Sequence, residues 1–220
     1  IMHKTIQNLI DIQKKINSSL DNIKTNKVPK IIAVSKTFSI DKINPLIEHG
    51  HLDFGENKVQ ESIDKWSDIK LKNKDINLHL IGGLQTNKVK FAVKLFDYIH
   101  SVDSEKLAKK IHDEQEKQSK KIKLFIQVNI GNEEQKSGVN KISLPNLYSY
   151  CKKLSLDVIG LMCIPPQDKS AEYYFKELNS LNKDLGLNEL SMGMSADFMD
   201  AVKNSATYLR IGSTIFGKRS

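Results

Sequence analysis

The sequence predicts an α/β fold, a single-domain (β/α)8 TIM barrel spanning residues 1–220 with an extra N-terminal helix. Short apolar runs rich in β-branched residues alternate with longer stretches of helical period, the pattern of repeated βα units on a parallel sheet. Eight such runs occur in 220 residues, a length that suits one barrel of roughly 200 to 250 residues. Polar residues and glycines also collect just beyond the runs, where the loops of a parallel barrel converge.

The strands are predicted at 31–35, 52–54, 78–81, 98–101, 122–130, 156–164, 189–192 and 208–211. The helices between them are predicted at 43–49, 58–70, 87–96, 104–118, 144–154, 169–185 and 196–204. Ser104 reads as an N-cap, Gly186 as a left-handed stop, and Asn44-Pro45 as a cap followed by proline at the first helical position. Eight strands with seven following helices leave one gap in the outer ring. The amphipathic segment 5–22, with Ile6, Leu9, Ile10, Ile16, Leu20 and Ile23 on one broad face, is expected to fill it.

Composition bounds the partners. Hydrophobic residues make up 39% and charged residues 27%, the balance of a globular protein. No apolar run approaches the ~20 residues of a membrane span. The opening segment 2–26 is charged throughout rather than carrying a signal-peptide apolar block, so the cytoplasm is the expected compartment. Cys151 and Cys163 lack paired spacing and are expected to be reduced, with neither a disulfide framework nor a zinc knuckle. The net charge of +8 invites a nucleic-acid reading, but the cations are 32 lysines spread along the chain, with arginine only at 210 and 219. Such a distribution is no phosphate-gripping patch, and no specific nucleic-acid partner is expected.

Just past the strands the rim reads Lys36; Gly55-Glu56-Asn57; Gly82 with Gln85-Thr86-Asn87; Asp103; Asn129; Pro165-Pro166; Gly193-Met194-Ser195; and Gly212-Ser213. This inventory suits an organic phosphate ligand and lacks a metal-binding cluster. Lys36 ends the run from Ile31, so its amine can sit in a partly desolvated mouth. Desolvation favours the neutral amine, the form that attacks an aldehyde to make an imine. By position alone a lysine just after a strand, one of 32 in the chain, reads sooner as a solvated charge. Ser195, after Gly193, reads either as a phosphate donor at a helix start or as an ordinary N-cap, with Asp197 as a dipole partner. Gly212 and Ser213 end the last strand, where barrels often hold phosphate. Arg210 alternates with Leu209 and either faces the mouth or snorkels to the surface. His49 and His51, near Asp53 and Glu56, imitate a zinc set but straddle a turn on the opposite face, so no metal is expected. Dinucleotide, Walker and nucleophile-elbow motifs are absent.

Six motifs, in order from about residue 30 onward, resemble one family. They are Ala33-Val34-Ser35-Lys36-Thr37; Phe54-Gly55-Glu56-Asn57-x-Val59-Gln60-Glu61; His79-x-Ile81-Gly82-x-Leu84-Gln85-x-Asn87-Lys88; Lys136-Ser137-Gly138; Ser191-Met192-Gly193-Met194-Ser195-x-Asp197; and Arg210-Ile211-Gly212-x-x-Ile215-Phe216-Gly217. The sequence is similar to the YggS/PROSC family of pyridoxal phosphate homeostasis proteins. The resemblance implies an alanine-racemase-like barrel with pyridoxal 5′-phosphate (PLP) as a Schiff base on Lys36 and its phosphate near Ser195, Gly212 and Ser213. It further implies Arg210 at the pyridine nitrogen and Asn57 at the ring's polar edge. Departures are Gly83, Cys163 and an end at Ser220 without the longer basic tail of some relatives, so no role is expected that depends on that tail.

An arginine can only donate to a pyridine nitrogen, which favours the unprotonated ring and weakens the electron sink that carbanion chemistry needs. In racemases the second base comes from a β-domain, and no such domain is expected within these 220 residues. The resemblance therefore implies a carrier without catalysis of its own, monomeric and off the membrane, that keeps free PLP low and supplies apo PLP-dependent enzymes. The alternative is a PLP-dependent amino-acid racemase or lyase.

Overall fold

Eight short strands pair in chain order and close on themselves in the structure, a computed structural model that describes residues 2–23 and 27–217. Arg219 and the end at Ser220 lie outside the described residues. The strands are β1 (Lys30–Val34), β2 (Asp53–Glu56), β3 (Asn77–Leu80), β4 (Tyr98–Val102), β5 (Lys123–Gln127), β6 (Asp157–Met162), β7 (Glu189–Ser191) and β8 (Tyr208–Ile211). All pairs are parallel, and β8 returns to β1 with Ile32 opposite Arg210 and Ala33 opposite Ile211. The predicted TIM barrel is therefore present, with strand positions displaced by a few residues at most of their ends.

Around it run α1 (Lys4–Asn22), α2 (Ile40–Glu48), α3 (Val59–Lys72), a 3-10 turn (Thr86–Lys88) leading into α4 (Val89–Leu95), α5 (Glu105–Gln118), α6 (Leu144–Lys153), α7 (Ala171–Asp184), α8 (Phe198–Lys203) and α9 (Ser213–Phe216). Strand alternation divides the core into two. Outward residues such as Ala33, Phe54, Leu78, Ile99, Leu161 and Leu209 pack under the helices, while Ile32, Tyr98, Phe125, Met162 and Tyr208 fill the barrel. Each such fully buried aliphatic or aromatic side chain contributes roughly 1.5–3 kcal/mol.

Two caps fall as the sequence indicates. Ser104 Oγ accepts from the Leu107 N–H at 3.2 Å. Gly186, at φ +69°, ends α7 with its N–H on Lys183 O and the next N–H on Asn182 O, a Schellman closure. Other expectations need correction. Ser39, not Asn44, is the N-cap residue of α2, and Pro45 lies inside that helix. There the proline costs a single hydrogen bond, that of the Asp41 carbonyl, while buried Ile43 and Leu46 hold the turn against the barrel. In α1 the buried stripe is Thr5, Leu9, Ile12, Ile16 and Leu20, and Ile23 is exposed. Ile12 continues the three-and-four spacing that Ile10 and Ile23 leave. α1 packs between α8, α9 and α2, in the expected gap. α9 was not legible in advance.

The barrel interior also carries a polar ladder. Asp53 Oδ1 meets His79 Nε2 at 2.9 Å, His79 Nδ1 meets His100 Nε2 at 2.9 Å, and His100 Nδ1 meets Ser191 Oγ at 2.8 Å. Tyr98 stacks on His79 and Phe125 on His100, with ring centroids 4.2 and 4.4 Å apart. Burial lowers the pKa of both imidazoles, well below 6.5 for His100. For His79 the bond to Asp53 opposes the shift, while His79 and Arg210 deepen that of His100.

Charged and titratable groups around the pair are Lys30 on β1, Asp53 on β2, Asp97 before β4 and Arg210 on β8, with Tyr98 and Tyr208 against the rings. The unfolded chain protonates both histidines below 6.5 and the native state refuses those protons. Stability is therefore complete above that value and falls as pH drops below it, by about 1.4 kcal/mol per unit for each histidine until its native pKa is reached. Denaturant unfolding across this range checks the slope, and His100→Phe should reduce it. Asp53 contributes separately. Burial raises its pKa, but the His79 bond and nearby cations prevail and lower it from 3.8, so its share is lost only in the carboxylate range.

Candidate functional site

The C-terminal ends of the strands open into a cavity of about 590 Å³, within the size range of small-molecule sites. Its wall includes Lys36, Asn57, Ser195, Arg210, Gly212 and Ser213. The geometry brings together six of the seven residues singled out from sequence. Gly193 is the exception. It turns at φ +96° directly behind the wall, and a Cβ there would come within 2.5 Å of the Ala201 methyl. Its carbonyl accepts the Arg210 N–H at 2.9 Å, so Gly193 lets β7 pass close to α8 and braces β8 without lining the cavity.

Lys36 follows β1 and is gripped on both sides. Ser35 Oγ donates to Glu56 Oε1 at 2.7 Å, and the Ser35 carbonyl accepts from Lys65 Nζ at 3.0 Å. On the other side the Thr37 N–H donates to Glu61 Oε1 at 2.7 Å, with Thr37 in the left-handed region at φ +68°. A β-branched residue there is strained, and such strain persists only where surrounding bonds enforce it. Lys65 joins the two carboxylates, 2.9 Å from Glu56 and 3.1 Å from Glu61. Glu56 is fully buried and also accepts from Trp66 Nε1 at 2.9 Å. It thus serves the β1–α2 turn from outside the barrel instead of standing on the rim, and it is not grouped with His51. No cluster of His, Cys, Asp or Glu among the described residues could hold a metal ion.

Arg210 points into the barrel mouth and is 3% exposed. Nη1 donates to Ser191 Oγ at 2.7 Å and Nη2 to the Cys163 carbonyl at 2.9 Å. These bonds decide between the mouth-facing and snorkelling alternatives in favour of the mouth. Burial lowers the pKa of the guanidinium, against the attraction of Cys163 and Asp197. On the opposite wall Gly82 lets the β3 loop approach β2, since a Cβ would fall 2.4 Å from the Asn57 carbonyl oxygen.

The seventh and eighth loops meet through the Thr214 N–H, which donates to Ser195 Oγ at 3.2 Å. Ser195 is not the N-cap of α8: the chain turns once more, Asp197 Oδ1 accepts the Met194 N–H at 2.6 Å, and the helix begins at Phe198. Gly212 precedes α9 and Ser213 opens it, with the Gly212 carbonyl accepting from Ile215 and Phe216.

Phe38, Ile81, Gln127, Ser137, Ile164 and Met194 also line the cavity. Of these, Ile81, Ser137 and Met194 lie within the family-like motifs, and Phe38, Gln127 and Ile164 carry no distinct sequence signal. Asp103 and Asn129 stay out of it. Asp103 accepts from the Gly138 N–H at 3.4 Å, and Asn129 closes the following loop through Glu133 at 2.8 and 3.1 Å. Both cysteines are buried and unpaired, their thiols pushed up to about 12 chiefly by burial.

Fold and mouth together define a (β/α)8 barrel that presents an amine, a buried guanidinium and a hydroxyl- and glycine-lined end to one small ligand. The family model described as Alanine racemase, N-terminal domain, matches residues 10–220. A pyridoxal phosphate homeostasis protein from Pasteurella multocida is 35% identical over 225 residues, covering 97% of each chain. One from Aquifex aeolicus is 39% identical over 200 residues, covering 86% of this chain and 87% of its own. PipY of Synechococcus elongatus, solved without and with PLP, is 33% identical and covers 92% of this chain and 100% of its own, at TM-scores of 0.82 and 0.79. The chain belongs to the alanine racemase N-terminal-domain family, within the YggS/PROSC group of pyridoxal phosphate homeostasis proteins.

Proposed function

We propose that the chain binds pyridoxal 5′-phosphate in the mouth cavity as a Schiff base on Lys36, and that it buffers the cofactor and delivers it to apo PLP-dependent enzymes. The observation that carries this reading is that Lys36, Arg210 and the Ser195/Gly212/Ser213 end face one cavity of small-molecule size. PipY, of the same fold and 33% identical, is solved with PLP bound. Asn57 and Arg210 suit the ring's polar positions, and Ser195, Gly212 and Ser213 suit the phosphate.

PLP, when bound, supplies an electrophilic aldehyde and a ring able to accept electron density. The residues of this chain favour holding it over transforming it. Arg210 offers only donors, so it supports an unprotonated ring nitrogen. Lys36 and Arg210 are the only titratable side chains among the described residues lining the cavity, and racemisation needs a second base across from the lysine. We therefore read the protein as a carrier rather than as the alternative racemase or lyase, and as a cytoplasmic monomer with neither membrane nor specific nucleic acid among its partners. No helix among the described residues is long and apolar enough to cross a membrane.

The test is transfer. PLP-loaded protein mixed with a defined apo-enzyme and a trap for free PLP is expected to restore that enzyme's activity. Activation abolished by the trap would reduce the role to buffering, and rapid α-proton exchange of amino acids in deuterated water would favour the enzyme reading.

A further inference from the structure

The polar ladder inside the barrel ends on Arg210. From the N-terminal end of β2 to the mouth it runs Asp53, His79, His100, Ser191, Arg210, each link between 2.7 and 2.9 Å. The ends fix its direction. A carboxylate can only accept, so His79 donates from Nε2, and a guanidinium can only donate, so Ser191 Oγ accepts from Arg210. With both imidazoles neutral, His79 Nδ1 must accept from His100 Nε2, and His100 Nδ1 must accept the Ser191 hydroxyl proton. Only this assignment satisfies all four links. Every donor then points away from the mouth and toward Asp53.

We propose that Asp53, His79, His100 and Ser191 form a one-way relay of hydrogen bonds that positions Arg210 as the fixed cation of the mouth cavity. Ser191 donates its hydroxyl hydrogen in a bond to His100 Nδ1 and turns only lone pairs toward the guanidinium, so it cannot compete with Arg210 for an acceptor in the cavity. Two of the five N–H groups of Arg210 are occupied, by Ser191 and Cys163, which locks the plane of the fork and leaves N–H groups for a ligand. The stacked Tyr98 and Phe125 rings exclude water from the imidazoles, and low polarity strengthens each link. A cavity built this way selects a ligand that offers an unprotonated ring nitrogen. His79, His100 and Ser191 are positioning residues, since they act through Arg210.

This inference rests on the PLP reading for its ligand but not for its geometry, so the two can fail separately. In nitrogen-15-labelled protein without PLP, both imidazoles should be neutral and protonated at Nε2, with slowly exchanging ring protons, and should remain so as the pH falls below the ordinary 6.5. A charged ring or an Nδ1 proton at either histidine would overturn the relay whatever the ligand. By absorbance titration, Ser191→Ala should raise the PLP dissociation constant about tenfold, the scale of a lost bond to a charged group, and Ser191→Thr should restore it. His100→Phe keeps a ring against Phe125 but carries no nitrogen. It should weaken PLP binding at least about threefold and shift the absorption band without any direct contact with the ligand. Unchanged affinity and band in His100→Phe would confine the effect to Ser191 and sink the relay. Wild-type protein that binds no PLP while showing the expected imidazole pattern would refute the functional reading and leave the relay standing.

Discussion

Lys36→Ala is expected to abolish covalent capture of PLP. The wild-type protein should show a Schiff-base absorption band on adding PLP, and borohydride should fix the adduct on Lys36, located by peptide mass. The variant should show neither. Contacts at the phosphate end and at Arg210 would remain, so affinity should fall by at least about a hundredfold, roughly 2.7 kcal/mol, rather than vanish. The substitution leaves the fold alone, because the turn around it is held by neighbours. Ser35 and Thr37 keep their bonds to Glu56, Lys65 and Glu61 whatever residue stands between them. An unchanged band in Lys36→Ala would mean that another of the 32 lysines carries the aldehyde.

The largest expected loss of stability comes from a single methyl. Gly160 on β6 pairs with Glu189 on β7, and a Cβ added there would lie 1.9 Å from the Glu189 carbonyl oxygen and 2.5 Å from its carbon. Both are backbone atoms of a strand paired on its other side, so no side chain can swing away to make room. Gly160→Ala should cost about 3 kcal/mol or more, comparable to severe overpacking, and lower the unfolding midpoint by roughly 6–12 °C at this chain length. β7 ends in Ser191, which holds Arg210, and runs on to Gly193. The same variant should therefore weaken PLP binding even where it still folds. Calorimetry and a PLP titration on one preparation measure both effects, and a midpoint within about 2 °C of wild type would contradict the close approach at β6 and β7.

Much of the architecture was legible because parallel barrel strands are buried on both faces and read as short apolar runs such as Ile31-Ile32-Ala33-Val34. The positions around the mouth followed from topology, since every βα loop opens on one end. What escaped was set by pairing across the sheet. His79 and His100 look like incidental polar residues within apolar strands, and only the closure of the barrel brings them 2.9 Å apart and aligns Ser191 with them. Glu56 seemed to belong to the rim because it follows Gly55, yet alternation turns it outward, under Trp66 and Lys65. Pro45 misled because its local preference for a first turn was overridden by the burial of Ile43 and Leu46. Gly193 reads as a rim residue beside Ser195, whereas its need for glycine comes from Ala201 on the next helix.

The amine and the anion-facing turn ride on opposite sides of one seam, where β1 lies against β8. These two strands are separated by nearly the whole chain, so a growing polypeptide holds half of the pocket for most of its synthesis. Ligand capture must wait until the final strand zips onto the first, and a disturbance that unzips them takes the two halves of the grip apart together.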